Sequence, residues 1–157
     1  MIWISVAAAI FAADSMIKYW AEKKLSDKAV REVAKDKILL RKLHNKGMAC
    51  NIGEDHPEVV KMGTLTLWGL CCAGFYRLLR HPGKNLEKAA GAFVIGGGAS
   101  NLADRLFRGY VVDYIGFQTS DEKLTKITYN LGDFFLAAGS ILILLSEFLH
   151  NFRKGSE

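Results

Sequence analysis

Asp113 and Asp133, twenty residues apart, are the two side chains with the most chemistry to offer. Asp113 follows Gly109-Tyr-Val-Val, a short β-like run, and Tyr114, Ile115 and Phe117 come after it. A carboxylate set among apolar residues is partly desolvated, and desolvation raises its pKa. Asp133 lies in "TYNLGDFF", where Asn130 suits a helix N-cap and Asp133 the third helical position. Taken singly, Asp133 reads as a capping acid that satisfies free amides and suits the helix dipole. Taken together, the two can converge from separate segments. Two carboxylates in contact do not both ionise readily, so they share a proton near neutral pH. The ionised one can then take a proton from water while the other protonates a carbonyl oxygen and, later, a leaving amine. No covalent intermediate is needed. Which aspartate holds the proton is open, although the helix dipole favours Asp133 as the charged partner.

A second polar group lies in "ASNLADRLFRGY". On a helix over 89–107, Gly97, Asn101 and Arg105 fall on one stripe at four-residue spacing. Asp104 lies beside them and can reach Arg108. The plain alternative for Asp104 is an interfacial helix end where Asp and Arg pair with each other and with headgroups.

These groups sit in a chain of 157 residues, the size of one domain, 1–157, with half its residues apolar. Mean hydropathy is only +0.12, so the distribution decides. The uncharged cores are Met1–Ala13, Met62–Tyr76, Ala89–Ala103 and Phe134–Ser146. Each falls short of the roughly 18 charge-free residues of an unambiguous span. Admitting a charge near an end (Asp14 and Lys18, Lys61, Asp104 and Arg105, Asp133) brings each to about 20, enough for a bilayer core of about 30 Å. A soluble bundle of buried helices fits less well. Met62–Tyr76 has no charged face, and Gly91, Gly96, Gly97 and Gly98 would each cost about 1 kcal/mol in a water-exposed helix. Between helices in lipid, small residues allow close approach, and Ala92, Gly96 and Ser100 recur at four-residue spacing. The reading is an all-α membrane protein: four transmembrane helices near 1–20, 60–79, 88–107 and 131–150, with a small extracytoplasmic β-containing element. The N-terminus lacks a positive n-region and reads as a retained span rather than a cleaved leader.

Charge leaves the orientation open. The 77–88 connection carries Arg77, Arg80, Lys84 and Lys88, and the tail ends with Arg153 and Lys154; in a four-span chain both lie on one side, which argues that this side is cytoplasmic. The opposite loop, 21–59, holds nine Lys or Arg against seven acids, and raw counting favours the reverse. Charges within a folded extramembrane element count for less. Leu25, Ala29, Val30 and Val33 are spaced for an amphipathic helix there, and "KILLRKL" for a short strand. The formal charge of +5 suits anionic lipid, and no aromatic-and-basic pattern for nucleic acid is present. Cys50, Cys71 and Cys72 form no disulfide framework or zinc spacing, and the histidines at 44, 56, 81 and 150 are scattered. No metal and no cofactor is expected.

The motifs also carry a family likeness. "DSMIK" with Asp14 and Lys18, "NKGMA" with Asn45, Gly47 and Ala49, "GGGASNLADRLFRGYVVD" and "YNLGD" follow one another in an order that resembles bacterial lipoprotein signal peptidase, signal peptidase II, over nearly the whole chain. The resemblance implies four spans in the bacterial inner membrane, cytoplasmic termini, an outside first loop and a site near the outer face. It implies an aspartic endopeptidase that removes signal peptides from prolipoproteins, cutting before a diacylglyceryl-modified cysteine in a lipobox. By motif, Asp113 and Asp133 become the catalytic pair. Asn45, Gly47, Asn101, Arg105 and Asn130 become the groups that hold the substrate backbone and the pair. Asp14 and Lys18 would brace the first span, and Asp104 would support Arg105. Partners would be prolipoproteins and membrane lipids, with no nucleic acid, and the protein a monomer. The chain departs from the family pattern at Cys50, where an aromatic often stands, at Ser100 in place of glycine, and at Gly132 in place of alanine. Small-for-small exchanges keep the close backbone approach.

Two other readings stand apart. "GAS" at Gly98–Ser100 with His150 faintly resembles rhomboid serine proteases, but four spans are too few and no G-x-S-x-G is present. A proton-coupled carrier or assembly factor could use the acids as a relay, yet no internal repeat of the kind transporters often show is visible.

Overall fold

The computed structural model describes residues 1–26, 30–33, 37–48 and 51–154. Ala29, Ala49 and Cys50 lie outside the described residues. Four long helices dominate: α1 (Ile2–Lys24), α2 (Pro57–Leu79), α3 (Asn85–Phe107) and α5 (Leu131–Lys154). A four-stranded antiparallel sheet caps one end, in the order β1 (Arg31–Val33), β2 (Ile38–Asn45), β3 (Val111–Phe117), β4 (Thr128–Tyr129). A single turn, α4 (Glu122–Lys126), joins β3 to β4, its Asp121 side chain accepting from the Lys123 amide at 2.7 Å.

α3 is the hub. Its Gly96-Gly97-Gly98 triplet turns one glycine toward each neighbouring helix, because successive helical positions are about 100° apart. A Cβ on Gly96 would lie 2.6 Å from the Ala7 carbonyl of α1. One on Gly97 would lie 2.4 Å from the Gly132 carbonyl of α5, and one on Gly98 would lie 3.0 Å from the Trp68 ring of α2. About two turns further toward its start, the Ala90 carbonyl meets Gly139 of α5 in the same way, 2.7 Å from where a Cβ would stand. The expected small-residue stripe is present: Ala92, Gly96 and Ser100 are all buried.

Burial is inverted relative to a water-soluble protein. Asp14, Lys18, Ser100, Asn101, Asp104, Asp113 and Asn130 are buried, whereas Leu67, Leu70, Leu144 and Phe148 are about two-thirds exposed. Of α2's 23 residues only Val60 and Phe75 are buried. Apolar surface on this scale needs an apolar solvent. α1, α2 and residues 131–152 of α5 are long and apolar enough to cross a membrane. α3, diluted by glycines and charges, is long enough at 23 residues but does not reach that hydropathy.

The sheet corrects one expectation and bears out two. Over 25–33 the amphipathic spacing predicts a helix, but Arg31–Val33 is a strand whose Val33 pairs with Ile38. Backbone pairing with an adjacent strand outweighs a weak helical period in so short a segment. "KILLRKL" is a strand as expected, and so is the run around Asp113. β2 carries a bulge between Leu40 and Leu43, after which Leu43 pairs with Asp113. Within the bulge Arg41 reaches across Gly116 to donate to Thr128 Oγ1 and to the carbonyls of Thr125 and Ile127, at 2.7 to 2.8 Å. That fork fastens the α4–β4 segment to the sheet.

Candidate functional site

The site forms where the sheet meets the ends of α3 and α5. β3 presents Asp113, and the first turn of α5 presents Asp133. Asn130 joins them. Its Nδ2 donates to Asp113 Oδ1 at 2.7 Å, its Oδ1 accepts from the Asp133 amide at 2.9 Å, and its own amide donates to Asp133 Oδ2 at 2.9 Å. The last two bonds are the reciprocal box expected of a helix start. The same asparagine therefore caps α5 and holds both carboxyls. Each carboxyl has one further amide donor: Asn45 Nδ2 to Asp113 Oδ2 at 3.1 Å, and Asn101 Nδ2 to Asp133 Oδ1 at 2.8 Å.

Both aspartates line one cavity of about 370 Å³, with Asn45, Asn101 and Arg105 also in its wall. Much of the rest of its lining is apolar: Leu67, Trp68, Val94 and Leu136 come from α2, α3 and α5, and Val111, Ile127 and Tyr129 from the sheet side. Arg105 donates to the Gly47 carbonyl at 2.7 Å, and its buried Nε has no partner among the described residues. Gly47 is held tightly: a Cβ there would lie 2.5 Å from the Asn51 backbone.

Burial is the largest influence on Asp113, and the nearby charge of Asp133 adds to it. The Asn130 and Asn45 bonds and the charge of Lys18 oppose the shift but do not cancel it, leaving Asp113 raised to about 7.

Behind the carboxyls lies a second, wholly buried network. Lys18 Nζ contacts Asp14 Oδ2 at 2.9 Å, Asn101 Oδ1 at 2.7 Å, Ser100 Oγ at 3.1 Å and Asp104 Oδ2 at 3.4 Å. Asp14 also accepts from Ser100 Oγ at 2.6 Å and from the Tyr114 hydroxyl at 2.9 Å. Lys18 thus orients Asn101, whose amide nitrogen then faces Asp133. Asp104 accepts from the Val112 amide at 3.0 Å and pairs with Arg108 at 3.0 Å. Its hydrogen bonds go to these groups and not to Arg105, because adjacent helical residues point about 100° apart, and Asp104 faces Lys18, β3 and, one turn on, Arg108.

All ten residues singled out in the sequence lie in or directly behind this site. Two others escaped that reading. Tyr114 bridges Asp14 to the Leu131 amide at the start of α5, 3.0 Å away, and burial beside Asp14 raises its hydroxyl pKa. Ser100 reads in the sequence as a small packing residue, a departure from glycine and part of "GAS", yet its hydroxyl completes the Asp14–Lys18 pair. A single hydroxyl in an apolar run carries no periodic signal, so only the neighbours brought by folding reveal its use.

Apolar helices turned outward, a small sheet at one end and two carboxyls beneath it define a helical membrane protein with a polar site at the sheet end. The chain belongs to the signal peptidase (SPase) II family, whose model matches residues 6–149. It is 31% identical over 153 residues to a lipoprotein signal peptidase of Brucella ovis, covering 94% of this chain and 91% of that one. It is 30% identical over 132 residues to one of Clostridium tetani, covering 84% and 83%. In fold it is similar to a bacterial membrane enzyme, with a TM-score of 0.83 at 19% identity, spanning 97% of this chain and 90% of that one. Membership of the family makes this protein a protease of lipoprotein processing.

Proposed function

We propose that the protein is an aspartic endopeptidase of four membrane spans that cuts signal peptides from prolipoproteins, with Asp113 and Asp133 as the catalytic pair. The observation that carries this reading is Asn130 bonded to both carboxyls at the wall of one cavity. Asp113, with its raised pKa, holds the shared proton, and Asp133 is the ionised partner at the α5 N-terminus. Asp133 removes a proton from water, the water attacks the scissile carbonyl, and Asp113 protonates the carbonyl oxygen. Collapse of the tetrahedral intermediate expels the amine, which takes up a proton from the pair. The Nε of Arg105, unpartnered among the described residues, and the second amide hydrogen of Asn101 would hold the substrate backbone, while Asn45, whose Nδ2 donates to Asp113 and to the Met48 carbonyl, steadies the pair. Asp14 and Lys18 fix Asn101 from behind.

In this reading α3 is the fourth span. Its polar groups face the other helices and the sheet instead of lipid, so its lower hydropathy is compatible with crossing. Both termini and the 77–88 connection are cytoplasmic, and the sheet and the carboxyl pair lie near the outer face of the inner membrane. The substrate presents a lipobox and a diacylglyceryl cysteine, whose acyl chains suit the apolar cavity wall.

Purified protein incubated with a diacylglyceryl-modified prolipoprotein tests the proposal. Wild type should release the signal peptide. Asp113→Asn and Asp133→Asn should each lower kcat by about 1,000-fold or more while remaining folded, since a positioned acid or base contributes on the order of 100- to 10,000-fold. Cleavage by either variant at the wild-type rate would exclude the pair. A carrier would not cleave the substrate at all.

A further inference from the structure

α2 and α5 both pack on α3 but hardly touch each other, which leaves a cleft with α3 as its floor. A second cavity, of about 360 Å³, lies in that cleft toward the end remote from the sheet. Cys71 and Val94 line both this cavity and the one at the carboxyl pair, so the two are continuous. Along α2 the cleft runs from Thr64 to Leu78, which is about 21 Å at 1.5 Å per residue. Its remote half is walled by apolar positions such as Leu78, Ile95 and Ile143 and ends on Glu87, Glu147 and Lys84. Lys84 stands near Glu87, whereas Glu147 pairs with no cation among the described residues. Arg77, Arg80 and Lys88 make this end of the protein basic, so two acids gathered at the cleft mouth run against the local charge.

We propose that this cleft holds the apolar helix of the substrate's signal segment, with Glu147 at its mouth receiving the basic residues that precede that helix. The proposal rests on the peptidase reading above. A signal segment has a positive start followed by about 7 to 15 apolar residues. As a helix the apolar part is about 10 to 22 Å long, the length of the cleft. With that helix in place, its carboxyl-terminal end reaches the carboxyl pair and its amino-terminal end reaches Glu147. Burying it against α2, α3 and α5 gives affinity through packing alone, and the acid at the mouth sets its direction.

Gly74 offers a clean test. It lines the remote cavity, and a Cβ added there meets nothing within 4 Å. Gly74→Leu therefore fills the cleft without a clash inside the protein. Two lipidated substrates are compared, one with its full signal segment and one truncated just before the lipobox. The ratio of kcat/KM for the full over the truncated substrate should fall about tenfold in Gly74→Leu, which is about 1.4 kcal/mol of lost helix binding. Gly69→Leu, also with open space at its Cβ but outside the cleft, should leave the ratio at its wild-type value. Glu147→Lys should lower kcat/KM about fivefold for a substrate with a basic start and recover it for one whose basic residues are replaced by glutamate. An unchanged ratio in Gly74→Leu, as expected if lipid fills the cleft, would overturn the proposal. So would an equal loss on both substrates, or a Glu147→Lys effect indifferent to substrate charge. Failure of wild type to cut either substrate would instead defeat the peptidase reading itself.

Discussion

Asn130 is the residue on which the site turns, because capping a helix and bridging two acids are here the same set of bonds. An N-terminal cap needs a side-chain acceptor, and an amide side chain offers an acceptor and donors at once. Aspartate at this position could cap but not donate to Asp113. The proton balance gives a second consequence. The carboxyl of Asp113 rises to about 7 in the folded protein, from an ordinary value near 3.9 in the unfolded chain. The folded state therefore holds an extra proton between these values, and stability falls as pH rises through that window. Thermal unfolding in detergent should show wild type losing more Tm between pH 5 and pH 8 than Asp113→Asn does. For the same reason kcat of the wild type should decline as pH rises above about 7, where Asp113 loses its proton. A profile flat to pH 9 would contradict Asp113 as the acid.

Among the elements, α3 and α5 set the geometry of the pair through Gly97 and Gly132. Gly97 lets the Gly132 carbonyl approach within what would be 2.4 Å of a Cβ, and Gly132 fits beside Asp14 Oδ2 and the Gly97 carbonyl at 2.9 Å. Gly132 thus places Asp133 one residue from the tightest helix contact on this axis, and Asn101 one turn along α3 from Gly97. Alanine at 97 must push α5 away against close-packed backbone. Gly97→Ala should cost on the order of 1–3 kcal/mol, the usual range for overpacking. It should also lower kcat more than it raises KM, because the Asn101–Asp133 bond of 2.8 Å is strained first. Thermal unfolding and steady-state cleavage check both parts. The sheet works differently: the β2 bulge and the Arg41 fork hold β4 and α4 against β3, which supports the wall of the cavity at Ile127 and Thr128.

For the whole molecule the governing fact is inverted burial, with ions inside and aliphatic side chains outside. A buried Lys18 is tolerable only because four polar groups surround it within 3.4 Å. Placing the sheet outside requires the basic 21–59 loop to be translocated, against a raw count of its charges. Folding into the sheet accounts for part of this: Lys42 pairs with Glu22, and Arg41 is tied to Thr128 and to the carbonyls of Thr125 and Ile127, so two of these cations are held within the folded element. Reporter enzymes fused after Lys46 and after Lys154 should report the outside and the cytoplasm respectively. The reverse pattern would invert the proposed orientation.

Much of this was legible in the order of residues alone. The four long helices follow from runs of apolar residues, since length and hydropathy are local properties. The capping box at Asn130–Asp133, the Asp14–Lys18 pair and the strand around Asp113 were equally readable, because each depends on neighbours within a few positions. What the chain order could not convey was contact between distant segments. The Tyr114 bridge spans 100 residues to Asp14, and the Ser100 hydroxyl finds its partners 82 and 86 positions away. The short strand at Arg31–Val33 exists because β2 lies beside it, not because its own residues demand it. The cleft between α2 and α5 is a gap between helices that each look ordinary. Local pattern determines which elements form; only packing decides which of their polar atoms meet and what space they leave.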